Sequence, residues 1–169
     1  MQQEPTLRRE RPEDILGIRS VVSEAFGRSG EANLVDALRT AGALTLSAVA
    51  DMGGRLAGHV GFSPITIGGV HHALALAPVA VAPQYQRQGI AAALIRWSLA
   101  ECQRLQRHII VVLGEAAYYR RFGFTSASMY GISCPFPVPD DAYMVLELQP
   151  GAARGIRGVV KYHPEFEAV

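Results

Sequence analysis

Cysteine is scarce. Cys102 and Cys134 are the only two in 169 residues. Two thiols do not build a disulfide framework, and neither belongs to a CxxC metal or redox pair. A reducing cytoplasm is the simplest home. Long hydrophobic runs are missing too. The longest, Ala73 to Pro83, holds two prolines and reads as a buried strand, short of the roughly 18 residues that span a bilayer. The polar start MQQEPTLRRERPED has no signal-peptide core, so no membrane partner is expected. Charge of one sign is not in excess, at a formal net +1, which argues against a dedicated nucleic-acid binder. Neither GxxxxGK[ST] nor GxGxxG occurs, so the two commonest nucleotide fingerprints are absent. Repeats and low-complexity segments are absent as well. What remains is 49% hydrophobic and 18% charged, a compact globular composition for one domain spanning 1–169.

The hydrophobic period divides the chain. Pro12 to Phe26 reads as a helix with Ile15, Ile18, Val22 and Phe26 along one face. Gly27 to Gly30 breaks it, and Glu31 to Thr40 forms a second helix with Leu34, Val35 and Leu38 inward. Strands follow at Leu44–Ala50, Arg55–Ile67 and Ala73–Val81, joined by glycine turns. From Gly89 the helical period returns, with Ala91, Leu94, Ile95, Ser98, Cys102 and Leu105 on one face. Ile109–Leu113 is a strand apolar on both faces. Then come a short helix at Glu115–Arg121, strands at Phe124–Ile132 and Ala142–Leu148, and a last strand at Gly158–Tyr162. The strands flanking the Gly89 helix form a βαβ unit and are expected to be parallel within an otherwise antiparallel sheet. The class is α/β, an α+β mixed sheet with helices on both faces.

The segment VAVAPQYQRQGIAAALI carries the chemistry. A strand ends at a proline, a polar loop follows, and Gly89 opens a helix. The first helical N–H groups lack intrahelical partners, and the helix dipole makes that end partly positive. A glycine there lets a ligand approach the backbone, so the loop suits a phosphate. Arg87 adds a positive charge, and Gln86 and Gln88 add neutral donors. A plain strand–helix turn with solvated glutamines is the competing reading. Pro78, inside the preceding strand, removes a ladder donor and frees backbone groups there for an extended, amide-containing ligand. An ordinary kink is the alternative.

The run Gln86-Arg87-Gln88-Gly89-Ile90-Ala91 resembles the acyl-CoA motif of the GNAT N-acetyltransferase superfamily, Gln/Arg-x-x-Gly-x-Gly/Ala. VVLGEAAYYRRFGF is similar to that superfamily's second signature, a tyrosine four residues before Gly-Phe. GHVGFSP and the tail LELQPGAARGIRGVVKYHPEF resemble the YhbS-like branch, so the likeness covers nearly the whole chain. It implies the acyl-CoA N-acyltransferase fold, with the parallel strand pair splayed around the coenzyme. It implies acetyl-CoA as co-substrate, without a metal, and a small-molecule amine as acceptor. Val79, Ala80 and Val81 would pair with the pantetheine arm. Backbone N–H groups from Arg87 through Gly89, Ile90, Ala91 and Ala92 would hold the pyrophosphate. Tyr119 would be the general acid for the leaving thiolate and would contact the coenzyme, and an N–H near Val79 would polarise the carbonyl.

The base departs from the pattern. Some relatives carry a glutamate on the strand before the loop, where this chain has Ala75. The candidates are Glu24 and Glu31 beside the first helix break, His59 in GHVGF, and Glu115, with a water relay as the alternative. His59 also reads as a strand histidine satisfied by a backbone carbonyl, and Glu115 as a carboxylate at a helix N-terminus. His71-His72 lacks a third ligand and reads as exposed turn residues. Arg8, Arg9 and Arg11 read as a solvated basic run. A non-catalytic acyl-CoA binder, or transfer to a protein or aminoacyl-nucleic acid, stays open, as does a homodimer. Acceptor choice would fall to the first two helices and the proline-rich loop Cys134–Asp141.

Overall fold

A computed structural model describes residues 3–168. Its strands are β1 (Thr6–Arg9), β2 (Leu46–Asp51), β3 (Leu56–Ile67), β4 (His71–Val81), β5 (Ile109–Leu113), β6 (Thr125–Ser126), β7 (Ile132–Ser133), β8 (Tyr143–Glu147) and β9 (Gly158–Lys161). They are hydrogen-bonded in the order β1-β2-β3-β4-β5-β8-β6, with β9 on β3 and β7 on β9. Two compact units divide the chain, and β3 (Leu56–Ile67), β4 (His71–Val81) and α3 (Ile90–Arg104) pass from one to the other.

The first unit holds the residues up to Ser63, Ala77–Ala100 and the end of the chain from Pro164. β1 (Thr6–Arg9) pairs antiparallel with β2 (Leu46–Asp51), which pairs antiparallel with β3. β1 falls where a solvated basic run was expected. Arg8 is not solvated: its guanidinium reaches both Asp14 carboxylate oxygens at 2.7 and 3.0 Å and Asp51 Oδ2 at 3.1 Å. Hydrogen bonds from Arg8 hold the Asp14 carboxyl below its usual range. The strand was missed because its side chains are charged. The partners that neutralise them lie 6 and 43 residues away.

α1 (Ile15–Phe26), entered through a 3-10 turn at Pro12–Asp14, and α2 (Gly30–Thr40) follow the expected helices closely. Ile18, Val22, Val35 and Leu38 are buried, whereas Phe26, at the end of α1, is 40% exposed. Val49 lies in the core under α1 and α2. Its cross-strand partner His59 therefore faces those helices. Gly58, one residue before, faces the other side. A Cβ there would meet Leu94 Cδ1 at 2.9 Å and Ile90 Cγ2 at 3.3 Å. The missing side chain lets the first turns of α3 settle against β3, with helices on both faces of this unit.

The second unit holds Pro64–Leu76 and Glu101–His163. β4 runs parallel to β5 (Ile109–Leu113), at Leu74↔Ile110 and Ala75↔Val111, as the βαβ reading expects. β8 (Tyr143–Glu147) pairs antiparallel along the whole of β5. The expected strand over Phe124–Ile132 is broken. Only β6 (Thr125–Ser126) and β7 (Ile132–Ser133) form, around a 3-10 turn at Ala127–Tyr130 that ends at Gly131 with φ 73°. Ala127 and Ile132 still face the core, so apolar residues alone did not reveal the turn. β7 runs parallel to β9 (Gly158–Lys161), whose Val160 pairs with Ile67. The short helix α4 spans Ala116–Tyr119 and continues as a 3-10 turn to Phe122. Leu105 lies just past α3 and is 37% exposed, not on the buried face expected for it. Both cysteines are free thiols.

Candidate functional site

The first unit carries the loop that was read as an anion site. β4 ends at Val81, a 3-10 turn covers Pro83–Tyr85, and α3 starts at Ile90. Arg87 has φ 62° and Gly89 φ 79°. Left-handed residues beside right-handed ones are the backbone pattern that can turn N–H groups toward an anion. A left-handed Arg87 is costly for a side-chain-bearing residue, and it sits where a full positive charge is useful. Beside Gly89 the space is open, since a Cβ there would meet nothing within 4 Å. The fifteen-residue α3 adds its unpaired first N–H groups and its dipole.

The glutamines do something other than expected. Gln86 Nε2 donates to Val81 O at 3.0 Å, and Gln88 Nε2 to Gln84 O at 3.4 Å. They brace the loop from within. Val79 and Val81 are half-buried and Ala80 is buried under α1. Ile90 and Ala92 point inward, whereas Ala91 and Ala93 are half-buried.

Tyr119 ends α4 in the second unit. Its ring packs edge-on against Tyr118 at 5.1 Å and Phe124 at 5.7 Å. It also covers Gly114, where a Cβ would meet ring carbon Cδ2 at 3.0 Å. Gly114 directly follows β5, and its N–H donates to Ala142 O at 2.9 Å. Burial, then the neighbouring Tyr118, pushes the Tyr119 hydroxyl up to about 12. It stays protonated across the neutral range. Arg121 lies over the Tyr118 ring at 5.1 Å, so Tyr118 acts in packing.

The four base candidates separate by environment. Glu31 is buried and accepts Arg28 Nε at 2.6 and 3.0 Å. His59 is wholly enclosed, at 0% exposure, and its partner is not a backbone carbonyl. Its Nε2 lies 2.8 Å from Ser47 Oγ, which donates to Glu10 Oε1 at 2.6 Å, and Arg39 clamps the same carboxylate at 2.7 and 2.8 Å. Because the Ser47 hydrogen goes to Glu10, Nε2 carries the imidazole hydrogen and Nδ1 keeps a buried lone pair without a partner. Burial drives His59 down to about 4; Glu10 opposes the shift and Arg39 adds to it. Glu24 is exposed and lines a cavity of about 370 Å³ with Ser20, Arg55 and Gln84. Glu115 is exposed, and its carbonyl accepts the N–H groups of Tyr118 and Tyr119, both at 3.1 Å. Ala75 sits in the apolar core of the second unit.

Comparison with known proteins decides the family. Residues 44–126 match the acetyltransferase (GNAT) domain. The N-acetyltransferase YhbS of Escherichia coli K12, described as uncharacterized, is 36% identical over 162 residues, covering 95% of this chain and 97% of the relative. This chain belongs to the GNAT acetyltransferase family. Among GNAT structures, the crystal structure of Escherichia coli YhbS in complex with CoA superposes with a TM-score of 0.94 at 35% identity, covering 99% of this chain and 94% of that one. A GNAT acetyltransferase from Brucella melitensis in complex with acetyl-CoA gives 0.82 at 37% identity, covering 98% and 99%. The mixed sheet with its parallel β4–β5 pair is the GNAT fold. Among the described residues, no helix is long and apolar enough to cross a membrane, and no group of three His, Cys, Asp or Glu gathers for a metal.

Sequence reasoning passed over Gly58, Gly114, Ser47 and Glu10. The two glycines act through a missing Cβ, visible only when the packed neighbour is known. Ser47 and Glu10 join His59 through strand pairing: Ser47 pairs with Gly61, and Glu10 N donates to Ser47 O at 2.9 Å.

Proposed function

We propose that this chain transfers the acetyl group of acetyl-CoA to the amine of a small-molecule acceptor, by direct attack within a ternary complex. The observation that carries the reading is the pair of left-handed residues, Arg87 and Gly89, opening onto free space at the N-terminus of α3. Their N–H groups and those of Ile90, Ala91 and Ala92 suit the pyrophosphate, with the Arg87 guanidinium beside them. Val79, Ala80 and Val81 offer an extended edge for the amide-bearing arm. The Val81 carbonyl is already engaged by Gln86, which leaves Val79 and Ala80 as the principal partners. The relatives solved with CoA and with acetyl-CoA support this choice of ligand.

The reaction needs a neutral amine, a polarised carbonyl and a stabilised leaving thiolate. The Val79 N–H is our candidate for the carbonyl. Tyr119 serves the thiolate. A phenol near 12 lies well above an ordinary thiol at about 8.5, so the hydroxyl acts chiefly as a hydrogen-bond donor to the sulfur. Of the four base candidates, Glu24 and Glu115 keep exposed carboxylates, whereas Glu31 is bound by Arg28 and His59 is enclosed. Water relayed through either exposed carboxylate is the base arrangement we favour.

The first test is thermal unfolding against rising acetyl-CoA, with NADH and ATP as controls. A ligand at about 100 times its dissociation constant stabilises the fold by roughly 2.7 kcal/mol. A shift with acetyl-CoA alone is expected, and its absence would remove the foundation of the proposal. Saturable binding without acetyl transfer to any amine in a broad panel would make the chain a non-catalytic acyl-CoA binder.

A further inference from the structure

The second unit contains a cavity of about 400 Å³ that no part of the proposed chemistry uses. It opens where the expected strand breaks into β6, the 3-10 turn and β7, and the proline-rich loop closes it. Its volume lies at the lower end of the range for small-molecule sites.

The lining has a one-sided chemistry. Its apolar walls come from Ile132, Val138, Phe136 and the ring of Tyr143. The Tyr143 hydroxyl is engaged with the Tyr162 hydroxyl at 2.9 Å, and Phe136 stacks on Tyr162 at 5.5 Å with an interplanar angle of 28°. The aromatic surface is therefore held in place. Phe136 is 47% exposed, a large apolar side chain left open to water at the edge of a cavity. Burial, then Tyr162, pushes the Tyr143 hydroxyl far above its ordinary range, and burial takes Tyr162 to about 12, so both phenols are neutral.

Asp140 is the one carboxylate of the lining, and no Lys, Arg or His belongs to it. Ser128 Oγ donates to Asp140 Oδ2 at 3.0 Å, which orients the carboxylate. A neighbouring cation, Arg157, lays its aliphatic stem over Gly131 but is not part of the lining.

This chemistry selects a ligand class. One carboxylate beside a fixed aromatic wall suits a single cation on an apolar body, through an ion pair and cation–π attraction. A polycation would find only one counter-charge. An amino acid would bring a carboxylate next to Asp140 with no lining cation to meet it. We propose that this cavity takes the acceptor as a monocationic primary amine with a compact aromatic or apolar body, with Asp140 holding the incoming ammonium until its proton passes to water and the neutral amine is free to attack. The identification of that ligand as the acceptor rests on the acetyltransferase reading; the binding does not.

β5 links the cavity to Tyr119. Leu113 pairs with Tyr143 of the cavity wall, and the next residue, Gly114, carries the Tyr119 ring. The cavity wall and the Tyr119 ring therefore adjoin the same end of β5.

The test uses the full chain and calorimetric titration with four probes: 2-phenylethylamine, its neutral analogue 2-phenylethanol, phenylalanine and spermidine. The amine is expected to bind at least ten-fold more tightly than the other three. Asp140→Asn should abolish that preference while leaving the acetyl-CoA thermal shift unchanged, which also shows that the variant is folded. Equal binding of the four probes, tighter binding of phenylalanine or spermidine, or an unchanged preference in Asp140→Asn would each overturn the proposal. Asp140-dependent amine binding without acetyl transfer would uphold the cavity and overturn the acetyltransferase reading. Transfer to other amines, with kcat/KM unaffected by Asp140→Asn, would do the reverse.

Discussion

Acidification should strip stability from this protein through His59, well before most carboxylates titrate. The imidazole is fully enclosed, and its folded pKa is about 4 against an ordinary 6.5. The folded pKa is depressed, so the unfolded chain takes up the proton first as pH falls. The stabilisation is complete above pH 6.5 and is lost as pH falls toward 4. The fall from 6.5 to about 4 makes the full loss about 3 kcal/mol. Roughly 2 kcal/mol of it should be gone by pH 5. For a chain of this length that lowers Tm by about 4–8 °C between pH 7 and pH 5. The charged groups in the network are Glu10, which favours the imidazolium, and Arg39, which opposes it. Asp14 and Glu10 also destabilise in acid, but their depressed carboxyl values place most of that loss lower. The assay is thermal unfolding of the wild type and His59→Gln from pH 7.5 to 4.5. Lost packing and the lost contact with Ser47 shift the variant by a constant, whereas the titration appears as a pH-dependent gap. The wild type should lose its advantage as pH drops. Parallel curves across the whole range would refute the assignment of a neutral, enclosed His59.

Other outcomes follow from single contacts. Arg8→Ala leaves the Asp14 carboxylate, 7% exposed, without its guanidinium; a loss of about 3 kcal/mol in urea unfolding is expected. Gly89→Val forces a β-branched residue to φ 79°; it should destabilise by roughly 1–2 kcal/mol and shrink the acetyl-CoA thermal shift more than it lowers Tm. Tyr119→Phe should lower kcat by at least ten-fold with the acetyl-CoA shift unchanged, and unaltered turnover would remove the hydroxyl from the reaction. Gly114→Ala pushes a methyl group into the Tyr119 ring; it should reproduce that kcat loss although the hydroxyl is still present, and a normal kcat would separate ring position from catalysis.

Local signals carried most of the architecture. α1, α2, α3 and β5 could be placed from period and punctuation because their apolar faces repeat within a few residues. The candidate phosphate loop could be picked out for a similar reason: Gly89, Arg87 and the following apolar helix are neighbours in the chain. The left-handed angle at Gly89 fits that local order, whereas the one at Arg87 carried no mark in the sequence. β1 was not legible, because Arg8 needs Asp14 and Asp51 to become a strand residue rather than a solvated one. The break at Ala127–Tyr130 was hidden too, since both halves of the apolar run still face the core.

The sequence by itself determined the class of protein and offered the candidate anion loop, both written in nearest-neighbour chemistry. Tertiary structure alone decided which ionisable groups are available. Four base candidates looked alike as letters. Folding enclosed His59 behind Ser47 and Glu10, tied Glu31 to Arg28, and left Glu24 and Glu115 in water. It also gathered Ser128, Phe136, Asp140 and Tyr143 around one cavity. Burial and charge pairing depend on what strand register and helix packing bring together, and residues far apart in the chain carry no local mark of that meeting.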